Sequence, residues 1–196
     1  PYNPGNRKII IFTAFADTAD YLYDNFIQSD FVVSGGLNVA EVTGGGRQSR
    51  STIRQVGGDF NEILAHFSPI SKDREVLGHN YGDIDILIAT DCISEGQNLQ
   101  DCDCLVNYDI HWNPIRLIQR FGRIDRLGSK NDQIQMVNFW PSIGLDEYID
   151  LKRRVQSRME LVGITSTGEN VLTNTDTDLE YRRRQLQELQ SQVVDL

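Results

Sequence analysis

In Asp85-Ile86-Leu87-Ile88-Ala89-Thr90-Asp91 the DILIA segment (Asp85–Ala89) enters an unbroken apolar run at Ile86 that stops abruptly at a hydroxyl and a carboxylate. A strand that is apolar on both faces has to be covered on both, as in parallel sheets flanked by helices. Working outward, Lys8–Phe12 (KIIIF), Asn38–Val42, Cys104–Tyr108 (CLVNY) and Ile134–Phe139 (IQMVNF) have the same character. Helical spacing falls between them. Ala19, Leu22, Tyr23 and Phe26 predict a helix from Asp17, and Ile53, Val56, Phe60, Ile63, Leu64 and Phe67 predict one interrupted by Gly57-Gly58. Pro114 opens a third, expected to run through about Leu127, because proline favours the first helical turn. The alternation predicts an α/β fold with a parallel β-sheet and helices on both faces. In such folds ligands gather at the carboxyl ends of the strands. The polar groups Thr13, Thr43–Gly46, Thr90-Asp91 and Asp109–Asn113 all follow strands.

Beyond Pro141 the pattern changes. Leu145–Val162 is a charged helix candidate, Thr165–Asp178 reads as a loop, and Leu179–Leu196 as a further helix carrying Arg182-Arg183-Arg184. The expected organisation is therefore an α/β domain over 1–144 and a helical C-terminal extension over 145–196. The opening Pro1-Tyr2-Asn3-Pro4-Gly5-Asn6 lacks a charged and then apolar leader, and reads as a linker inside a longer protein. No run of about 18 apolar residues predicts a membrane span.

The chain has 196 residues and a net charge of −9, which argues against a simple electrostatic nucleic-acid binder. Its arginines are nonetheless clustered, with Arg47, Arg50 and Arg54 in one stretch and Arg116, Arg120, Arg123 and Arg126 in another. A local basic surface is expected there. Cys92, Cys102 and Cys104 show no C-x-x-C pair, so reduced thiols in a cytoplasmic protein are expected and no metal site is assigned. His66, His79 and His111 are expected at the surface or in loops, and Asp101 and Asp103 in a solvated loop. Ser94 lacks the G-x-S-x-G setting of an esterase nucleophile.

The densest local pattern is Gln119-Arg120-Phe121-Gly122-Arg123-Ile124-Asp125-Arg126. At about 100° per residue, Leu117, Phe121 and Ile124 share one stripe, and Gln119, Arg123 and Arg126 share the opposite side. Guanidiniums on one face repel each other and favour an anion, and their forks match phosphate oxygens. A solvated, salt-bridged face, with Asp125 as a local partner, is the alternative.

These residues resemble a known family. Gln119–Arg126 is similar to the Q-x-x-G-R-x-x-R motif of superfamily 2 helicases. Ala89-Thr90-Asp91 through Gly96 resembles the family's A-T-D motif, Ile9–Thr13 an earlier one, and Thr43-Gly44-Gly45 its short glycine-containing segment. The run Glu95–Gln100, then Tyr108-Asp109, Trp112-Asn113-Pro114 and Gln119–Gly128, is similar to the Swi/Snf-like, RapA-type branch. The resemblance spans about residues 8–142, in order and with matching spacing. It implies a RecA-like second lobe of an ATP-driven DNA helicase or translocase.

The resemblance also implies roles. Arg123 and Arg126 would be arginine fingers for ATP held on the other lobe, with Gln119 setting their geometry and Gly96 and Asn98 near the nucleotide. Thr13, Gly44, Thr90 and Glu95 would face the nucleic-acid backbone, which hydroxyls and backbone N–H groups can hold without reading bases. A helix cap is the plain alternative for Thr90, a turn for Gly44–Gly46, and a surface carboxylate for Glu95. The sequence contains no G-x-x-x-x-G-K-[ST] to hold a triphosphate, so ATP with Mg2+ would be bound mainly by a first RecA-like lobe, and the isolated chain is expected to be inactive. The implied partners are that lobe and DNA, with duplex favoured by the branch. An RNA helicase lobe and a non-catalytic α/β interaction module are the alternatives.

Overall fold

The computed structural model describes residues 3–44, 46–93, 96–109, 114–126, 129–131 and 133–139. The expected extension over 145–196, and its boundary with the α/β domain, lie outside the described residues.

Six strands form one sheet: β1 (Ile9–Phe12), β2 (Val39–Val42), β3 (Arg50–Ser51), β4 (Ile86–Ala89), β5 (Cys104–Asn107) and β6 (Gln135–Asn138), in the order β3-β2-β4-β1-β5-β6. Four helices accompany them: α1 (Ala16–Phe26), α2 (Asp30–Gly35), α3 (Phe60–Phe67) and α4 (Pro114–Phe121). The DILIA run is β4, parallel to β1 on one side (Ile9 opposite Ile86) and to β2 on the other (Val39 opposite Ile86).

Strand alternation divides the core. Ile10, Phe12, Ala40, Val42, Leu87, Ala89 and Leu105 pack with Ile63, Leu64 and Phe67 of α3 and with Ile124. Ile11, Val39, Ile86 and Ile88 pack with Ala19, Leu22 and Tyr23 of α1 and Val32 of α2. Every residue of β2 and β4 is buried, as a strand sandwiched between two helical layers must be.

The expected parallel sheet is present, with one short edge strand added: β3 runs antiparallel, pairing Glu41 with Arg50 and Ala40 with Ser51. The structure corrects the sequence reading at three places. The helix expected from Ile53 to Phe67 starts only at Phe60. Gly58 takes φ +88° and its N–H bonds Ser49 O at 3.1 Å, so Ile53 and Val56 reach the core from a loop. Asp59 then caps α3 through Asn61 N (2.7 Å) and Glu62 N (3.0 Å). A short helix, α2, was not foreseen; Ser29 accepts from Val32 N at its start and Gly36 ends it in the left-handed region at φ +56°. Finally, α4 ends at Phe121 rather than near Leu127, with Gly122 beginning a turn.

The predicted basic cluster at Arg47 and Arg50 is neutralised. Arg47 pairs with Asp17 (2.9 Å) and Asp20 (2.6 Å), and Arg50 with Asp20 (3.0 Å), Asp24 (3.0 Å) and Glu41 (2.5 Å). Arg50 also lies over the Tyr23 ring, 4.5 Å from its centre. The carboxylates of α1 thus cancel the charge that the glycine-rich stretch carries.

Glu41 is 3% exposed, and its Oε1 is buried without a hydrogen-bond partner among the described residues. Burial raises its pKa to about 7, outweighing the lowering by Arg50. Because the folded pKa lies above the unfolded one, the carboxyl's contribution to stability is complete below the unfolded value. It declines as pH climbs from there to about 7. Urea unfolding across that window is expected to show Glu41→Gln gaining stability relative to the unsubstituted chain as pH rises. A constant difference would contradict the raised pKa.

Candidate nucleotide and nucleic-acid interface

The carboxyl ends of β1, β2, β4 and β5 deliver Thr13, Gly44, Thr90-Asp91 and Asp109 to one edge of the sheet. The centre of that edge is a guanidinium. Arg120 lies on α4 one turn beyond Leu117, and both are fully buried. Arg120 Nε donates to Asp91 Oδ1 at 2.7 Å, and Nη1 donates to Asn107 Oδ1 at 2.9 Å and to Asp109 O at 3.3 Å. Its guanidinium stacks over Phe12, 5.1 Å from the ring centre. One residue from each of β1 and β5, and the residues just past β4 and β5, therefore meet a single side chain.

Thr13 is fully buried, and its hydroxyl donates to Asp109 Oδ2 while accepting from Phe15 N at 3.3 Å. Gly44 and Thr90 are brought together, with Gly44 N donating to Thr90 Oγ1 at 3.2 Å. A Cβ on Gly44 would stand 3.2 Å from Cys92 Cβ, so a side chain at 44 would crowd the loop that follows β4. Thr90 is 7% exposed, which leaves Gly44 the more accessible of the two. Glu95 lies outside the described residues.

The turn after α4 sets Arg123 and Arg126. Each Nε folds back onto the carbonyl four residues earlier, Arg123 onto Gln119 O (3.3 Å) and Arg126 onto Gly122 O (3.2 Å). Arg126 Nη1 also donates to Asn98 Oδ1, and Leu99 N donates to Arg123 O at 2.9 Å. The segment after Gly96, itself exposed at φ +74°, is thus laced to the arginine turn. Three residues expected near nucleotide, Asn98, Arg123 and Arg126, are assembled, and Gly96 lies two residues from Asn98. Gln119 acts on Arg123 through its backbone carbonyl.

The single helical face expected for Gln119, Arg123 and Arg126 is replaced by helix followed by turn. The apolar stripe is also altered: Leu117 and Ile124 point inward, Phe121 is half-buried, and Arg120 is more deeply buried than Phe121. Sequence reasoning placed Arg120 in a surface cluster and gave Asp109 and Asn107 no role. The available signal was a carboxylate just past each of the two strands that flank β1, Asp91 after β4 and Asp109 after β5, which could balance one inward cation.

Other expectations are corrected as well. His66 is buried, its Nδ1 donating to Glu62 O at 2.9 Å and its ring stacked with His79 and Tyr81. His111 lies outside the described residues. Asp101 accepts from Ile70 N (2.6 Å) and Ser71 N (3.1 Å), and Asp103 is 4% exposed and accepts from Asn3 Nδ2 (2.7 Å). Both carboxylates organise backbone or side-chain amides rather than a solvated loop. Burial pushes the Cys102 thiol far up, which keeps it protonated.

Comparison with known proteins agrees with this architecture. Residues 3–128 match the helicase conserved C-terminal domain, and the chain belongs to that family. Among curated relatives, the uncharacterized ATP-dependent helicase YqhH of Bacillus subtilis is 32% identical over 142 residues, covering 72% of this chain and 20% of YqhH. The ATP-dependent RNA helicase DBP8 of Scheffersomyces stipitis is 26% identical over 136 residues, covering 69% and 30%. A solved structure of the C-terminal part of the Fun30 ATPase domain aligns at TM-score 0.46 and 18% identity, covering 73% of this chain and 38% of that one. The chain therefore spans less than a third of the length of either relative.

Removing one member of a buried ion pair leaves the other uncompensated and costs about 3–5 kcal/mol. Arg120→Ala is expected to lose that much in denaturant unfolding, whereas Arg126→Ala, at an exposed position, should stay within about 0.5 kcal/mol of the unsubstituted chain. Equal losses would show that the buried guanidinium is not the structural member of the set.

Proposed function

We propose that this chain is the second motor lobe of an ATP-dependent DNA translocase of the Swi/Snf-like type, in which Arg123 and Arg126 act on nucleotide held by a first lobe. The observation that carries the reading is the division among the arginines. Arg120 is consumed by Asp91 inside the lobe. Arg126 stands exposed on Asn98 and Gly122 O, with no carboxylate partner among the described residues. An exposed guanidinium on neutral acceptors is suited to a phosphate arriving from outside. The donor set fits ATP in that limited sense: it offers cations for terminal phosphates and no cradle for the remainder.

Mechanistically, lobe closure would carry the turn after α4 toward the nucleotide, and opening would withdraw it. The laced segments 96–99 and 122–126 would move as one piece, so neither guanidinium would have to search for its position. The Thr90 hydroxyl, which accepts from Gly44 N where β2 and β4 end, would lie along a nucleic-acid backbone and hold it without reading sequence, with Gly44 letting that backbone approach closely. Thr13, buried on Asp109, would brace that edge from beneath. Glu95 is retained as a candidate backbone contact on the motif alone. Duplex DNA is proposed from the branch resemblance, while the RNA helicase named among the relatives makes an RNA-driven lobe the second reading.

ATP turnover by the full-length parent, measured alone and with duplex DNA, single-stranded DNA and RNA, tests the proposal. Stimulation by duplex DNA is the expected result. Stimulation by RNA alone would keep the motor and replace the substrate, and no turnover under any condition would reduce the lobe to an interaction module. In the same assay, Arg123→Ala is expected to lower turnover by about 10³–10⁵-fold, the range for a transition-state arginine, with nucleic-acid binding retained. Unchanged turnover would remove the finger assignment.

A further inference from the structure

Lys72 lies in the turn after α3, outside every motif quoted above. The turn is pinned to the segment that carries Asn98. Asp101 accepts from Ile70 N and Ser71 N, Ser71 Oγ donates to Asn98 O at 3.3 Å, and Lys72 N bonds Ser68 O at 3.0 Å. Asp73, immediately after, is held at φ +47°, a left-handed conformation that non-glycine residues adopt only when their surroundings impose it. Lys72 is therefore fixed rather than trailing on a flexible loop. Its Nζ donates to Gln97 Oε1, and the very next residue, Asn98, holds Arg126.

Two cations are thus carried on adjacent uncharged amides. Among the described residues neither has a carboxylate partner, in contrast to Arg47, Arg50, Arg74 and Arg120. They also sense one another: burial first, and then the charge of Arg126, lowers the pKa of the Lys72 ammonium. A like-charged, partly desolvated pair without a counter-charge is relieved by an anion.

We propose that Lys72 joins Arg126 in a two-cation phosphate-binding site, with Gln97 and Asn98 as the neutral holders that keep both groups in place before the phosphate arrives. The phosphate belongs either to the nucleotide or to a nucleic-acid backbone. The role of Arg126 rests on the proposed function; Lys72 is the addition. Planar guanidinium and compact ammonium are complementary here, one gripping two oxygens and the other supplying a point charge.

Lys72→Met keeps the stem and removes the charge, and Lys72→Arg keeps the charge. In the full-length parent, Lys72→Met is expected to weaken phosphate recognition about tenfold, with the melting temperature unchanged and most of the effect recovered in Lys72→Arg. A rise in KM for ATP identifies the nucleotide, and a rise in the half-saturating concentration of nucleic acid identifies the backbone. Neither rising would overturn the site.

A second arm needs no turnover: inorganic pyrophosphate is titrated into the 196-residue chain by calorimetry. Saturable binding that Lys72→Met abolishes supports the site, while equal binding, or none by either protein, contradicts it. Pyrophosphate binding through Lys72 in a chain whose parent turns over no ATP would sink the motor reading and leave this one intact.

Discussion

A guanidinium sealed inside an α/β lobe has to be balanced, and Arg120 is balanced through Nε and Nη1, while Nη2 is buried without a hydrogen-bond partner among the described residues. Asp91 supplies the charge, Asn107 and the Asp109 carbonyl supply acceptors, and Phe12 supplies a π face. These partners come from β1, from β5, and from the loops leaving β4 and β5. Each satisfied contact ties one strand end to α4, so the loops that leave the sheet are set relative to one another before any ligand binds. Pre-setting of this kind is what a site that must grip a phosphate requires.

From that anchor the arginines divide by depth. Arg120 is enclosed, Arg123 is half-buried against Gln119 O, and Arg126 is exposed. The turn that follows α4 carries Arg123 and Arg126, while Arg120 stays on the helix. The acidic balance of the chain suits the same arrangement. Carboxylates on α1 quench Arg47 and Arg50, and the net charge is −9, so the uncompensated cations Lys72 and Arg126 form a local feature rather than part of a general basic surface.

Most of the sheet was legible because its strands are buried on both faces and therefore spelled as apolar runs. Those runs fixed five strands to within a residue or so at each end. The two-residue β3 escaped because a short edge strand needs no apolar spelling, and Arg50-Ser51 has none. Ile53 and Val56 mimicked helical spacing because a loop can also send apolar side chains into a core. The candidate site was legible through motif order, which brought Asn98 and Arg126 together on the page before they met in space. Arg120 and Lys72 were not legible. Burial of an arginine depends on carboxylates that converge only once strands are ordered, and Lys72 lies outside the motifs and gains its setting from contacts of Ser71 with Asp101 and Asn98, distant in sequence.

The central claim is that one arginine holds the lobe together so that its neighbours can act outside it. The most direct measurement is a structure of the two-lobed parent with a non-hydrolysable ATP analogue. The account predicts Arg123 and Arg126 within hydrogen-bond reach of the terminal phosphate while Arg120 remains on Asp91. Finding Arg123 and Arg126 still folded on Gln119 and Gly122, away from the nucleotide, or Arg120 released from Asp91 to meet it, would contradict it.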